Sequence, residues 1–475
     1  MEKQHQHHRG SWGSSLGFLM AAIGSAVGLG NLWGFPFKMG ANGGFAFLLV
    51  YIVLTVAVGF AMLMAEMAIG RKTGRSAVGA FRQLDSRHPE VGYMGVISGT
   101  IVVSYYCVLG GLCLRYCLGF FTEMFGGTGF LGHGEEFFQT FTASPWSMVL
   151  CTAAFAVITG SILMGGVSGG IEKFSTVAMP ALFVMLIALV VYISRQPGAE
   201  QGYAFMFTPD WDYLKENFFS VVSTAAGQMF FSLSLAMGIM VAYGSYLKKD
   251  ENIPRDALLI CGADTIIALL AGCLVIPAAF AFVGEDAYMS GVKLLFVTMH
   301  QVFFNIGGRF GCFLGFIFFL TVSIAAITSS VSLLEVSVSF GVDRRIDKHK
   351  APRRKTIIAV CTILVFLLAV PVALDALGGA ADATPLGLLQ QLFPALALKG
   401  WNESFINAYS FISEGFLMPL GALLMSLYIG YKYKTTLITN ECGIRRGRVL
   451  DLCYRFIVPV AMLVVLYGQL RDFLG

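Results

Sequence analysis

Small and polar residues interrupt the first apolar run of the chain, which extends from about Leu16 to Met39. Four glycines, Ser25, Asn31 and Pro36 lie between positions 24 and 36. A membrane helix of this composition is expected to break, because glycine weakens helix interiors and proline removes a backbone donor. In lipid, freed backbone groups are tolerated only where they are buried in protein or line a cavity. The stretch therefore predicts a binding site at membrane depth, the alternative being close helix packing through small residues.

A second interruption of the same kind lies in the middle of the sixth apolar run. Between Gly227 and Gly238 the chain carries Gln228, Ser232 and Ser234. Two interrupted helices at corresponding places in two five-helix halves are typical of an inverted repeat whose binding site lies near the membrane midplane. The second interruption therefore favours a binding site over simple helix packing.

Three adjacent hydroxyl residues, Thr328-Ser329-Ser330, follow the apolar stretch of the eighth run. Hydroxyls within a helix usually bond back to carbonyls of their own helix. Beside two broken helices, they are also candidate ligands of a hard cation such as sodium, because hard cations take oxygen ligands. Both readings are open from the residues alone.

The composition defines the protein class in which these stretches occur. The chain has 475 residues, of which 56% are hydrophobic and 13% are charged, whereas a soluble domain is about half apolar and a quarter charged. We therefore expect a polytopic membrane protein. Apolar runs separated by turn and charge signals predict eleven spans, at about 16–38, 44–70, 93–124, 147–165, 171–194, 218–247, 256–283, 309–341, 356–374, 403–430 and 450–470.

The basic residues predict the orientation of these spans. Most of them, including Arg71, Arg344 and Lys432, fall in loops on one side, whereas the other side carries only Arg195, Lys215, Lys293, Arg309, Lys399 and Arg471. Since cytoplasmic loops are enriched in Lys and Arg, we expect a cytoplasmic N-terminus and an extracytoplasmic C-terminus in a bacterial plasma membrane. The exterior segments 284–308 and 377–401 are either a lid or plain connectors.

Four motifs resemble those of the neurotransmitter:sodium symporter family. They are Ser25–Pro36 in the first helix, Tyr105-Tyr106 in the third, Gln228–Ser234 in the sixth and Thr328–Ser330 in the eighth. The resemblance extends from position 9 to about the tenth span and is strongest to bacterial amino-acid members with eleven helices. It implies an all-α, 5+5 inverted-repeat fold like that of the bacterial leucine transporter, with helices 1 and 6 broken and one extra C-terminal helix.

This fold divides the chain into three parts. Residues 1–15 would be a cytoplasmic tail, and residues 16–430 would be the transporter core, with repeats at about 16–194 and 218–430. Residues 431–475 would contain a basic loop and the eleventh helix.

The resemblance also implies two sodium sites. The first would use the carbonyl of Ala26 with Asn31, Ser232 and a seventh-helix residue, which is Asp264 by its spacing to the small residues that follow. The second would use the carbonyls of Gly24, Val27 and Ala325 and the hydroxyls of Thr328 and Ser329.

The substrate site that the resemblance implies lies between these ions. Its carboxylate end would be the Gly30 amide and the Tyr106 hydroxyl. Its ammonium end would comprise carbonyls of the two breaks and the Ser234 hydroxyl. The full set of expected contacts is Ser25, Ala26, Gly30, Val102, Tyr106, Phe231, Ser232, Ser234, Met237, Ser329 and Leu333.

Two positions refine the expected substrate and ions. Gly28 stands where monoamine-carrying relatives have an aspartate. Without that carboxylate, a substrate amine that lacks a carboxylate of its own would find no counter-ion. The expected substrate is therefore an amino acid. Asp264 is a carboxylate near mid-span, which is costly unless functional. It could take the role that chloride has in animal relatives. We therefore expect no chloride requirement, and Asp264 could release a proton during the cycle.

The family resemblance also implies an outer and an inner gate to the substrate site, and the residues at the outer gate differ from those of the family. Gly34 and Asn407 stand where relatives carry an arginine and an aspartate, and loss of one partner alone would leave a buried charge costing about 3–5 kcal/mol. The outer gate would then depend on Tyr106, Phe231 and packing. The inner gate would keep Arg9 and Asp343, with Tyr246 beside them.

These features predict a sodium-coupled symporter that imports hydrophobic or aromatic L-amino acids by alternating access. The alternatives are another small zwitterion, such as a polar or β-amino acid, or an amino-acid sensor with a transporter fold. An enzyme is not expected, because no motif pairs a nucleophile with a base. The expected partners are the amino acid, sodium ions and the lipid bilayer, without nucleic acid, and the protein would be a monomer or weak dimer.

Overall fold

The computed structural model describes residues 11–127, 130, 132–284, 292–378, 404–445 and 447–474. These residues form helices and contain no strand, as the all-α prediction requires. We number the apolar helices in chain order as α1a (Ser15–Ala26), α1b (Gly30–Ala41), α2 (Phe45–Thr73), α3 (Glu90–Glu123), α4 (Pro145–Met164), α5 (Val167–Ile193), α6a (Phe218–Ser232), α6b (Ile239–Gly244), α7 (Ile253–Phe282), α8 (Gly308–Asp347), α9 (Arg354–Leu374), α10 (Phe405–Lys432) and α11 (Arg448–Arg471).

Nine of these described helices are long and apolar enough to cross a membrane by themselves, and the bent pair α1a–α1b makes a tenth. The remaining apolar unit is α6a with α6b, whose pieces have 15 and 6 residues. Each of the eleven predicted spans therefore coincides with one helical unit. A further short apolar helix, Leu294–Ile306, lies between α7 and α8. Most of the second exterior segment, 377–401, lies outside the described residues.

The first helix breaks within the glycine-rich stretch. Helix α1a ends at Ala26, and Val27 has an extended backbone with φ −81° and ψ 106°. The chain becomes helical again from Gly30, and the two halves are bent by 46°. Pro36 falls in the first turn of the α-helical part of α1b, where its missing N–H group is tolerated. The backbone groups around Val27 are thus available to side chains and ligands.

The sixth helix breaks over Leu233–Gly238, and this segment is strained. Ser234 and Ala236 have φ angles of 55° and 60°, in the left-handed region that non-glycine residues rarely adopt. Gly238, at φ 73°, is the N-cap residue of α6b. The buried carboxylate of Glu66 on α2 accepts a 2.6 Å hydrogen bond from the Ala236 amide. This bond holds the strained segment, because a buried amide must find an acceptor.

The long helices α3 and α8 pack side by side over much of their length, and α1a packs against α8 and α5. The two breaks therefore lie in the interior of the bundle. The side chains of Tyr106 on α3 and Ser329 on α8 are both buried beside them. The fold thus places broken backbone next to polar side chains, away from lipid.

Candidate substrate and ion site

A small cavity lies between the two breaks, and residues of both breaks line it. All eleven residues expected from the sequence to contact substrate lie along its wall. They are Ser25, Ala26, Gly30, Val102, Tyr106, Phe231, Ser232, Ser234, Met237, Ser329 and Leu333.

One end of the cavity combines the start of α1b with two aromatic rings. The Leu29 amide donates a 2.9 Å hydrogen bond to the Tyr106 hydroxyl. The Phe231 ring covers Gly30 so closely that a Cβ there would lie 2.9 Å from it. The rings of Tyr106 and Phe231 have centroids 6.3 Å apart. Since amides at a helix N-terminus favour negative charge, this end is suited to a carboxylate.

The opposite polar end is formed where α1a and α6a terminate. The Ser234 hydroxyl donates a 3.0 Å hydrogen bond to the carbonyl of Ser25, so the two breaks are tied together directly. Ala26 and Ser232, the last residues of α1a and α6a, also line the cavity. Carbonyl groups at helix C-termini carry partial negative charge. This end is therefore suited to an ammonium group.

The remaining wall is mostly apolar and has no room for a side chain at Gly28. Val102, Met237 and Leu333 supply the apolar surface. A Cβ on Gly28 would lie 2.5 Å from the Ser329 hydroxyl oxygen and 2.7 Å from the Tyr106 hydroxyl oxygen. A side chain at position 28 would therefore require these two hydroxyl groups to move.

A buried hydrogen-bond network surrounds Asp264 on α7. Its Oδ1 accepts hydrogen bonds of 2.7 Å from both Asn31 Nδ2 and Ser232 Oγ. Its Oδ2 accepts a 2.8 Å hydrogen bond from the Tyr51 hydroxyl. The structure therefore brings together the three side chains predicted for the first sodium site. Tyr51 was not among the residues expected from the sequence, and its hydroxyl in the apolar second span was the available signal.

The residues predicted for the second sodium site also meet. Ser329 Oγ lies 3.3 Å from the carbonyl oxygen of Gly24 and 3.1 Å from that of Val27. Thr328 Oγ1 bonds to the carbonyl of Ala325 at 3.0 Å. Ser329 Oγ thus joins two carbonyl oxygens of the first helix to α8, whereas the bond of Thr328 to Ala325 stays within α8.

The three hydroxyls of α8 differ in what they bond. Thr328 and Ser330 bond back to carbonyls of their own helix, Ser330 to Ala326 at 2.7 Å. Ser329 instead reaches the first break, where its hydroxyl also lies 3.2 Å from the carbonyl of Ser25. The back-bonding alternative therefore describes two of the three residues, and Ser329 connects α8 to α1.

On the predicted cytoplasmic side, Arg9 lies outside the described residues. Asp343 accepts a 2.7 Å hydrogen bond from the Ser76 amide. Tyr246 donates a 2.6 Å hydrogen bond to Glu335, which also forms a bidentate ion pair with Arg354 at the start of α9. Neither Glu335 nor Arg354 was among the residues expected from the sequence, although a carboxylate within an apolar span is a visible signal.

On the predicted outer side, Gly34 packs on Gln228, which donates a 2.8 Å hydrogen bond to the Gly30 carbonyl. The amide of Asn407 donates to Ser404 at the start of α10. Two charged residues are nevertheless present near Gly34 and Asn407. They are Lys38 of α1b and Glu414 of α10, which line one cavity. Neither residue was among those expected from the sequence.

Helices broken beside a cavity lined by amides, carbonyls and hydroxyls define an ion-dependent solute transporter. The profile of the sodium:neurotransmitter symporter family matches residues 9–128 and 131–387. The chain belongs to this family and is a sodium-dependent transporter, not an enzyme.

Individual relatives support this membership over most of the chain. The uncharacterized sodium-dependent transporter YhdH of Bacillus subtilis is 32% identical over 463 residues, which cover 96% of each chain. The uncharacterized sodium-dependent transporter MJ1319 of Methanocaldococcus jannaschii is 34% identical over 378 residues, covering 76% of this chain and 74% of the relative. The crystal structure of MhsT in complex with L-phenylalanine aligns with a TM-score of 0.84 at 35% identity, covering 97% of this chain and 100% of MhsT.

Proposed function

We propose that this protein is a symporter that couples the entry of sodium to the import of hydrophobic or aromatic L-amino acids by alternating access. One observation carries the proposal. A single cavity presents a site for a carboxylate, a site for an ammonium group and an apolar wall, and clusters of oxygen ligands lie beside it. An α-amino acid with an apolar side chain has these three features in this arrangement.

The substrate would span the two breaks. Its carboxylate would bind the Gly30 amide and the Tyr106 hydroxyl, and its ammonium group would bind the Ser234 hydroxyl and the carbonyls of Ala26, Phe231 and Ser232. The partial charges at the ends of the broken helices favour this orientation. The reverse orientation would place each charged group against a helix end of its own sign.

The side chain of the substrate would lie against Val102, Met237 and Leu333. Methionine adapts to differently shaped ligands because it is unbranched and flexible. An apolar wall distinguishes one methylene group by only about 1–3 kcal/mol, so we expect several hydrophobic amino acids to compete. The L-phenylalanine bound to MhsT is of this class, and MhsT is 35% identical to this chain.

Two sodium ions would bind beside the substrate. The first would be held by Ala26, Asn31, Ser232 and Asp264, next to the substrate carboxylate. The second would be held between the first break and α8 by Gly24, Val27, Ala325, Thr328 and Ser329. Because both sets include residues of α1, sodium binding would fix the break that also forms the substrate site.

Asp264 would make transport independent of chloride. It would supply a fixed negative charge in contact with Asn31 and Ser232, two of the first sodium ligands. A sodium ion bound there would be neutralised by the protein itself. An additional anion would then bring like charges together, which is unfavourable at low dielectric.

The proposed arrangement in the membrane follows the distribution of basic residues. The N-terminus would be cytoplasmic and the C-terminus extracytoplasmic in a bacterial plasma membrane. Residues 16–194 and 218–430 would form the two inverted repeats, with α11 outside them. The protein would act as a monomer or weak dimer.

The test is uptake of labelled L-phenylalanine into proteoliposomes that contain the purified protein. We expect accumulation under an inward sodium gradient and none when potassium replaces sodium. Competition by each of the twenty amino acids should rank the hydrophobic and aromatic L-amino acids first. Binding without accumulation would favour a sensor, and stronger competition by polar or β-amino acids would refute the proposed substrate class.

A further inference from the structure

Two opposite charges lie within membrane-spanning helices outside the substrate and ion sites. Lys38 is on α1b and Glu414 is on α10, and both line a small cavity together with Gly227 and Phe230 of α6a. The Tyr105 hydroxyl donates a hydrogen bond to Glu414. Ionisable side chains at membrane depth are costly and usually functional. The proposed binding of substrate and sodium uses neither Lys38 nor Glu414.

The cavity of Lys38 and Glu414 lies directly beside the substrate cavity. Phe230 lines the cavity of Lys38 and Glu414, whereas its neighbour Phe231 lines the substrate cavity. Tyr105 bonds Glu414, whereas its neighbour Tyr106 lines the substrate cavity. Two pairs of consecutive residues thus separate the cavities. On the predicted orientation, the charged cavity is the outer one, because α1b leads from the break toward the outside.

The two charges belong to different helices that line the same cavity. Lys38 is on the outer half of the broken first helix, and Glu414 is on α10, at the other side of the same cavity. Their attraction favours the arrangement in which α1b and α10 enclose the cavity. Water entering an open path would weaken that attraction, because charge interactions fall with rising dielectric.

We propose that Lys38 and Glu414, with Tyr105 positioning the carboxylate, are the charged element of the outer gate. They would stabilise the closed state of the outer path and separate when it opens. This inference rests on the proposed transport function. It gives the outer gate two opposite charges that line one cavity. Lys38 lies one helical turn beyond Gly34, the position at which relatives carry the arginine.

The test measures opening of the outer path without substrate. A cysteine in place of Val102 places a reporter in the substrate cavity. Intact cells in sodium medium are treated with a membrane-impermeant thiol reagent, and modification at position 102 is quantified by mass spectrometry of the peptide. This distinguishes the reporter from the natural cysteines. The variants are Lys38→Gln, Glu414→Gln and the exchanged pair Lys38→Glu with Glu414→Lys.

We expect each single variant to raise the reporter's reaction rate by about tenfold or more, since loss of the pair shifts a two-state equilibrium toward the open state. The exchanged pair should return the rate toward that of the parent. The matched control exchanges the exposed pair Asp212 and Lys215 and should leave the rate unchanged. Melting temperatures in detergent identify any variant that is only misfolded.

Two results would overturn the gate. One is an unchanged reporter rate in both single variants, and the other is an exchanged pair that behaves like the single variants. An unchanged reporter rate would mean that the charges do not hold the outer path closed. An exchanged pair that behaves like the single variants would mean that each charge is needed only for local folding. Failure of the proposed transport function would appear separately, as absence of phenylalanine uptake by the parent, because the reporter reaction needs no substrate.

Discussion

Replacement of Asp264 by asparagine tests the first sodium site most directly. The substitution keeps the shape of the side chain but removes the only carboxylate among the four proposed ligands. In the structure this carboxylate accepts three hydrogen bonds of 2.7–2.8 Å, from Asn31, Ser232 and Tyr51. The amide of the variant can satisfy at most two of these donors through its oxygen, and its NH₂ group faces the third. A sodium ion bound there would lose its neutralising charge at the same time.

The expected magnitude follows from one lost charged contact. A hydrogen bond to a charged group contributes about 1.5–3 kcal/mol, and about 1.4 kcal/mol corresponds to a tenfold change in an equilibrium constant. We therefore expect Asp264→Asn to weaken sodium activation of phenylalanine uptake by roughly 10- to 150-fold. Chloride should stimulate the variant, because an external anion can then restore the missing charge, and should leave the parent unaffected.

The assay is a sodium-activation curve at saturating phenylalanine, measured with chloride and with gluconate. The control is Asp212→Asn, since the Asp212 side chain is 87% exposed and pairs with Lys215 on the surface. A sodium half-saturation within twofold of the parent in Asp264→Asn would refute the proposed role in sodium binding. A chloride requirement in the parent would refute the proposed role of Asp264 as the fixed anion.

Three further predictions concern other parts of the structure. Gly28→Ala should weaken phenylalanine binding by about 5- to 150-fold, because overpacking costs roughly 1–3 kcal/mol and the new carbon would lie 2.5 Å from Ser329 Oγ. Equilibrium binding of phenylalanine measures this change. Ser329→Ala should weaken sodium activation by about tenfold, whereas Ser330→Ala, which removes only a bond within α8, should not. His300 lies in the helix between α7 and α8, and burial lowers its pKa to about 4. As the pH falls from about 6.5 toward 4, the unfolded chain takes up a proton at His300 before the folded protein does. The folded state therefore loses stability over that pH range. The variant His300→Gln should lose less melting temperature between pH 7 and pH 4.5 than the parent.

The helical architecture could be predicted because each element has a strong local signal. Apolar runs of about 20 residues define spans, and every predicted span coincides with a helical unit of the structure. The first break lies within the glycine-rich stretch 24–36, as its composition predicts. The strained geometry of the second did not, because Ser234 and Ala236 carry positive φ angles that no local preference favours. Their conformation depends on Glu66, which is 170 positions away from Ala236.

The contents of the cavity could be predicted only through the family resemblance. Residue types within one stretch indicated polar groups at membrane depth, but they did not indicate which of them face one another. The partners that were missed show the same limit. Tyr51 meets Asp264 across 213 positions of sequence, and Tyr105 meets Glu414 across 309. Such contacts depend on how helices are rotated and packed, which the apolar pattern of a buried helix does not specify.

Ser329 suggests why substrate and the second sodium ion would bind cooperatively. Its side chain lines the substrate cavity, and its hydroxyl lies within 3.3 Å of the Gly24 and Val27 carbonyl oxygens at the first break. A hydroxyl can donate only one hydrogen bond, so these carbonyls cannot all be satisfied by it at once. A sodium ion can contact several oxygens together and would hold the break against α8 more firmly. Because the same break forms both polar ends of the substrate cavity, each ligand would bind best when the other has ordered it, which is the reciprocity that coupled transport requires.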